Sequence, residues 1–332
     1  VSQGAVAQAA RLPATARRRA RRKAAWRRRG LVLLLMSPWL AGFSIFFGYP
    51  LVMSGYLSLT HYDLLSAPQW RGFANYHYLF HDDPQFWPGV RNTLWFIGIA
   101  IPLQVAFAFG IALMLARAKL GLGFFRTIFY LPALAPPVAA TLGFVYLLNP
   151  ATGPVNIILG HLGIHGPLWF QSPGWAKPSL TLLQIWGVGN AMVIFLAAVL
   201  DVPQHLYESA ELDGAGPLRR LRWVTLPTIS PVILFSVVLG VIQGLQYFTQ
   251  AYVAANIAAG QASQAGDTVN NLGYPQDSTL FYPVLLYQAA FVNNFMGYAC
   301  ALAMVLLVVA FAVTSVILWN SRRWVHYTGS AR

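Results

Sequence analysis

The sequence predicts an all-α polytopic membrane protein. It has six transmembrane helices, both termini on the cytoplasmic side, and a short helical unit between spans four and five. Three observations lead there. Only 9% of the 332 residues are charged and the mean hydropathy is +0.55, whereas ordinary soluble domains carry roughly 25% charged residues. Six segments reach the length of about 20 apolar residues that a hydrocarbon core requires. The basic residues fall almost entirely on alternate loops, as the positive-inside rule demands.

The spans, in order, are 31–59, 93–115, 127–148, 179–200, 229–251 and 297–319, and none contains Asp, Glu, Lys or Arg. With the N-terminus inside, the inner segments hold the basic block Arg11–Arg29, then Arg117, Lys119 and Arg126, then Arg219, Arg220 and Arg222, and finally Arg322, Arg323 and Arg332. Only Arg71, Arg91 and Lys177 fall outside. The first span is longer than a signal-peptide apolar core and reads as a retained anchor. The organisation is a basic tail (1–30), a transmembrane domain (31–320) enclosing the polar loop 201–228, and a short C-terminal tail (321–332). The outer segments 62–87 and 169–175 are rich in Trp, Tyr, Pro and Gly. They read as interfacial anchors or as a docking surface.

Composition also excludes. The net charge of +13 is concentrated just before a span, where it sets topology and meets anionic lipid; no aromatic-studded nucleic-acid fold accompanies it. One cysteine, Cys300, permits no intramolecular disulfide. No Gly-Lys pair occurs, so a phosphate-cradling P-loop is absent. His77/His81 and His161/His165 have helical i, i+4 spacing but no H-E-x-x-H context, and no metal site is expected from them.

Polar residues inside spans are informative because lipid does not solvate them. Gln243, Gln246, Tyr247 and Gln250 have the spacing of one helical face. Such a face suits sugar hydroxyls and ring faces in a wet cavity. It equally suits interhelical hydrogen bonds of about 1 kcal/mol or less. Trp186 with Asn190, and Asn294 with Tyr298, form weaker pairs of the same kind. Pro132, Pro136 and Pro137 interrupt the start of the third span. Gly297 and Ala301 suggest close helix packing.

The segment Glu208–Pro227 (ESAELDGAGPLRRLRWVTLP) is a polar island between two apolar spans. It reads as a short helix, a turn at Asp213-Gly214 and a second helix opened by Pro217. Glu208, Ala210, Asp213, Gly214, Ala215, Leu226 and Pro227 stand at the spacing of the EAA loop, with Ser209 and Val224 as small departures. From about Ser37 to Trp319 the chain resembles permease subunits of the carbohydrate-uptake branch of bacterial ABC importers, the maltose and glycerol-3-phosphate type. Ordered matches carry the resemblance: Gly72–Tyr76, Asp83–Trp87, Asn92-Thr93, Phe124–Thr127, Asn149-Pro150, Gly153–Asn156, Ile185-Trp186 and Val202-Pro203. The Ala/Gln/Gly-rich stretch 254–273 departs from the family's last external loop.

The resemblance implies a non-catalytic translocation subunit of a sugar importer. Its loop 201–228 would be a cytoplasmic coupling helix, with Glu208, Ala210, Asp213, Gly214, Ala215 and Pro227 as the residues engaging an ATPase. It implies a second permease subunit, two ATPase subunits holding ATP and Mg, and an extracytoplasmic solute-binding protein, in a bacterial cytoplasmic membrane. An ion-coupled secondary transporter is the first rival, but no carboxylate lies within a span. A membrane enzyme acting on lipid-linked sugar is the second; Asp63, Asp82 and Asp83 form no convincing constellation for it.

Overall fold

The computed structural model describes residues 14–118, 121–262, 271–321, Arg323 and Val325. Most side chains of the basic N-terminal block, together with Lys119, Arg322, Arg332 and the 263–270 part of the Ala/Gln/Gly-rich stretch, lie outside the described residues. The chain forms two compact units that part between Tyr56 and Leu57. In the first, a helix begins at Ala14 and its apolar length, α1, runs Gly30–Leu57.

The second unit holds two more unbroken apolar helices, α2 (Phe86–Arg117) and α12 (Met296–Ser321). Between them lie three bent pairs: α3 (Leu122–Leu134) with α4 (Pro137–Leu147) at 97°, α5 (Pro173–Trp186) with α6 (Gly189–Leu200) at 50°, and α8 (Pro217–Thr228) with α9 (Ser230–Leu245) at 69°. The helix α7 (Gln204–Leu212) precedes α8. After α9 come α10 (Thr249–Ala262) and α11 (Tyr282–Val292). The protein is thus a helical polytopic membrane fold with, among the described residues, three unbroken spans, and up to six when each bent pair counts as one.

Two sequence expectations are corrected here. Spans three, four and five are not continuous. Pro136 and Pro137 have no N–H to donate and close the way between α3 and α4. Gly187-Val188 separates α5 from α6, and Ile229 separates α8 from α9 just after Pro227. The second correction concerns 254–273. Its first part is no loop, because α10 continues to Ala262 with Ala254, Ala255, Ala258 and Ala259 buried. Their small side chains let α10 pack on α4.

Two hydrophobic clusters hold the unit. One centres on Phe96, which stacks on Tyr247 at 4.1 Å and meets Phe281 edge-on at 5.5 Å. The other gathers Ile111, Met192, Phe195, Leu196 and Ile229 where α2, α6 and α9 meet. A two-stranded hairpin, β1 (Thr60–His61) against β2 (Gln69–Trp70), sits beside the start of α12. Gly297 does not mediate helix-on-helix packing. Its N–H donates to Tyr62 O at 3.0 Å, and a Cβ there would lie 2.2 Å from Thr60 O. The glycine admits the backbone of residues 57–62 against the helix.

Candidate functional site: a polar cavity and a helix-turn-helix loop

The cavity opens among α2, α5, α6 and α9, beside the α3–α4 bend, with a volume of about 400 Å³. Of the residues singled out in the sequence, Trp186, Asn190, Gln243 and Gln250 line it. The single helical face expected for the fifth span does not form. The chain leaves helix geometry at Gln246, whose N–H bonds back to Ile242 and Gln243 carbonyls, and resumes at Thr249. Gln246 is exposed and Tyr247 turns into the core against Phe96. Asn294 is an exposed loop residue at φ +58°. Tyr298 donates its hydroxyl to Asp83 and meets Tyr78 edge-on at 5.2 Å. Neither lines the cavity.

The structure adds Gln104 and Gln184 to the wall, with Gln184 Nε2 donating to Gln104 Oε1 at 3.2 Å. Ser236 also lines it, and its buried hydroxyl has no hydrogen-bond partner among the described residues. The signal for Gln104 and Gln184 is the one the fifth span carries, glutamine in an otherwise apolar span. No lining residue is ionisable. The wall is therefore amide, hydroxyl and indole, a surface for neutral hydrogen-bonding ligands.

The loop after α6 is built from the residue types that stop and restart helices. α7 ends in a Schellman arrangement. Gly214 lies at φ +73° and donates its N–H to Glu211 O at 3.0 Å, while Ala215 N–H reaches back to Ala210 O at 2.8 Å. These two bonds give Ala210, Asp213, Gly214 and Ala215 their spacing: the helix needs a glycine where the backbone turns left-handed, and small residues on either side. Pro217 then starts α8 at a position where its missing N–H costs nothing. A π-helical turn at Leu221–Thr225 absorbs the misfit ahead of Pro227.

Electrostatics across the turn are local. Arg220 and Glu211 pair at 3.1 Å, and Gln204 Nε2 donates to Glu208 Oε1 at 2.9 Å. Tyr207 and Thr225 share a hydrogen bond at 2.9 Å that ties α7 to α8. Glu208, Asp213 and Gly214 are exposed; Ala210, Ala215 and Pro227 are half-buried. Leu212, the last residue of α7, is 91% exposed. The loop and the cavity share α9: Ile229 hinges α8 to it, and Gln243 lies near its far end.

The opposite end is held by long-range polar contacts. Asn92, on α2, donates to Asp277 O at 2.6 Å and Leu280 O at 2.9 Å, and accepts from Lys177 Nζ at 3.0 Å. Gln85 bonds to Asp277 Oδ1, and Gln288 to Gln85. Burial pushes the Asp277 carboxyl above the ordinary carboxylate range, against the lowering effect of Gln85. Asn75 Nδ2 donates to the Ser58 and Thr60 carbonyls at 2.8 Å each. His77 and His81 stack at 4.6 Å, and among the described residues no three His, Cys, Asp or Glu side chains cluster as a metal site would.

Broken membrane helices around a polar cavity, joined through a hinge to a helix-turn-helix loop, define a membrane-embedded transport subunit. The sequence profile of the binding-protein-dependent transport system inner membrane component family matches residues 104–325. The chain belongs to that family. It is 36% identical over 293 residues to the probable ABC transporter permease protein YesP of Bacillus subtilis (strain 168), covering 88% of this chain and 90% of that one. It is 32% identical over 262 residues to the lactose transport system permease protein LacF of Rhizobium radiobacter, covering 77% and 86%. The fold matches a chain in the crystal structure of a bacterial ABC transporter involved in the import of the acidic polysaccharide alginate, with TM-score 0.72 and 24% identity over 91% of this chain and 99% of that one. Family membership makes this chain a transport component.

Proposed function

We propose that the chain forms half of the translocation pathway of an ATP-driven sugar importer in a bacterial inner membrane. Its partners are a second permease subunit, two ATPase subunits that hold ATP and Mg, and an extracytoplasmic binding protein. In this reading six spans cross the membrane with both termini inside, and loop 201–228 faces the cytoplasm. α7 and α8 dock on an ATPase subunit. Closure of the ATPases moves α8, the Ile229 hinge transmits the movement to α9, and the polar cavity changes access. The names of relatives such as the lactose permease support a sugar as cargo. Amides and an indole in the cavity wall suit hydroxyls and ring faces.

One observation carries this reading: Leu212, Leu218 and Trp223 stand 91%, 81% and 72% exposed on the polar loop 201–228. Exposed apolar side chains beside a turn of charged residues mark a surface that a partner covers. The test is reconstitution with the partner subunits, comparing wild type with Leu212→Ser and Glu208→Ala. Assembled variants are expected to lose sugar-stimulated ATP hydrolysis by about tenfold, as for truncating one interface anchor. Full stimulation in both variants sinks the coupling role. Cysteine labelling of position 212 from outside intact cells sinks the orientation.

A further inference from the structure

Behind the helix-turn-helix loop lie two cavities that share a wall. The first, about 590 Å³, is lined by Arg117, Arg220, Gln204, Tyr207 and Thr225, with Pro217 and Leu221. Its polar side chains can all donate hydrogen bonds, the rest of its wall is apolar, and among the described residues no carboxylate lines it. The second, about 690 Å³, continues along α2 past Phe107, Gly110 and Met114 and is apolar apart from Arg117. Leu113, Arg117, Pro217 and Leu221 belong to both. Met114 is 75% exposed.

Arg117 has no carboxylate within ion-pair distance among the described residues. Among the described residues Arg220 forms an ion pair only with Glu211, whose side chain is 67% exposed. A cationic, donor-rich pocket therefore opens directly into an apolar groove on a membrane helix. Basic pockets of this kind at the inner face of membrane helices bind anionic lipid headgroups. A soluble anion would use the first cavity and leave the second empty; a neutral lipid would leave Arg117 uncompensated.

We infer that these cavities form one site for an anionic phospholipid. The phosphate lies between Arg117 and Arg220, beside Gln204, which also donates to Glu208, and the hydrogen-bonded Tyr207–Thr225 pair, and an acyl chain lies along Phe107–Met114. The inference rests on the placement of loop 201–228 at the inner membrane surface. Bound there, the lipid braces α7 and α8 against α2 and links the loop to membrane composition.

The test is native mass spectrometry of the purified full chain, titrated with phosphatidylglycerol or phosphatidylcholine of the same acyl chains. Wild type is expected to bind phosphatidylglycerol in preference. Each of Arg117→Gln and Arg220→Gln is expected to weaken that preference about fivefold, the effect of one basic residue near an anionic surface. Arg117→Gln breaks no ion pair, so it reports binding without a folding ambiguity. Gly110→Trp, at a position where an added Cβ meets nothing within 4 Å, is expected to weaken both lipids by filling the groove.

Equal binding of the two lipids by wild type, or unchanged preference in Arg117→Gln, overturns the site. So does full displacement by inorganic phosphate with Gly110→Trp silent, which makes it a soluble-anion site. Absence of retained lipid, with Gly110→Trp disturbing subunit assembly instead, also overturns it by giving the groove to a protein. None of these readouts needs ATP hydrolysis. Loss of the coupling role with lipid preference intact therefore leaves this site standing, and the reverse holds too.

Discussion

The two ends of the second unit are built in contrasting ways. Where Asn92, Asp277, Lys177 and Gln85 meet, hydrogen bonds join residues far apart in sequence, and the side chains that make them are buried or half-buried. Around Gly214 the bonds are local: Gly214 to Glu211, Ala215 to Ala210, Gln204 to Glu208. The first end closes on itself and spends most of its polar groups internally. The second holds a local shape and leaves Leu212 bare. The difference teaches that one end is specified by contacts across its own chain, whereas the other keeps its shape by local bonds and leaves a surface free for the partner proposed above. Substitutions that remove hydrogen-bonding groups at the first end should cost stability, and at the second only coupling.

The largest effect expected is from Gly297→Leu. Its Cβ would meet the Thr60 carbonyl at 2.2 Å, and that oxygen belongs to backbone pinned by the Gly297–Tyr62 bond. Overpacking that no side chain can relieve should cost about 3 kcal/mol or more. Thermal unfolding of the purified chain in detergent checks it; a wild-type midpoint would show that the hairpin and α12 do not depend on each other. Asn92→Ala comes next. It leaves the Leu280 carbonyl and the Lys177 ammonium without their amide partner, for a loss of about 2 kcal/mol. If this variant melts like wild type, the contrast between the two ends fails where it is most densely bonded. Leu212→Ser sharpens the contrast from the other side. A 91% exposed leucine should shift stability by less than about 0.5 kcal/mol, even while coupling falls. A destabilised Leu212→Ser would mean that the loop packs on its own chain.

Much of the helix-turn-helix loop was legible in the sequence because its determinants are local. Asp213-Gly214, Pro217 and the flanking alanines specify where a helix stops and another starts, whatever surrounds them. The cavity was only half legible. Trp186, Asn190, Gln243 and Gln250 were visible as polar residues in apolar spans, but the break at Gln246–Phe248 has no glycine or proline to announce it. It is set by tertiary packing, since Tyr247 leaves the helical face to stack on Phe96 and Phe281. The helix through Ala254–Ala259 was missed for a related reason. Its alanines favour a helix but are too small to signal burial by hydropathy, and only the partner α4 makes burial of such side chains worthwhile. Asn92 and Asn75 were matched to a family pattern without a role. Their amide nitrogens bond to backbone carbonyls, which leave no trace in sequence.

The smallest effect expected is a pH dependence at the closed end. Burial holds the Asp277 carboxyl above its ordinary value of 3.8, so the folded state binds that proton more tightly than the unfolded state does. Between the ordinary and the raised value the folded chain carries more protons, and stability falls as pH rises through that window. Above it the ionised carboxylate remains less favourable in the folded protein than in the unfolded one. Asp277→Asn removes the charge and keeps the side-chain size. Asparagine also tolerates the left-handed backbone at this position, φ +55°. The variant should therefore melt slightly above wild type at neutral pH, and the difference should vanish below the window. Melting curves of both proteins from about pH 3 to pH 7 decide it, the lower bound lying just below the ordinary carboxylate value. A variant less stable than wild type at neutral pH would mean that the Asp277 carboxylate acts as an acceptor for Gln85 more strongly than burial opposes it. The closed end would then be held by a charge rather than by neutral hydrogen bonds.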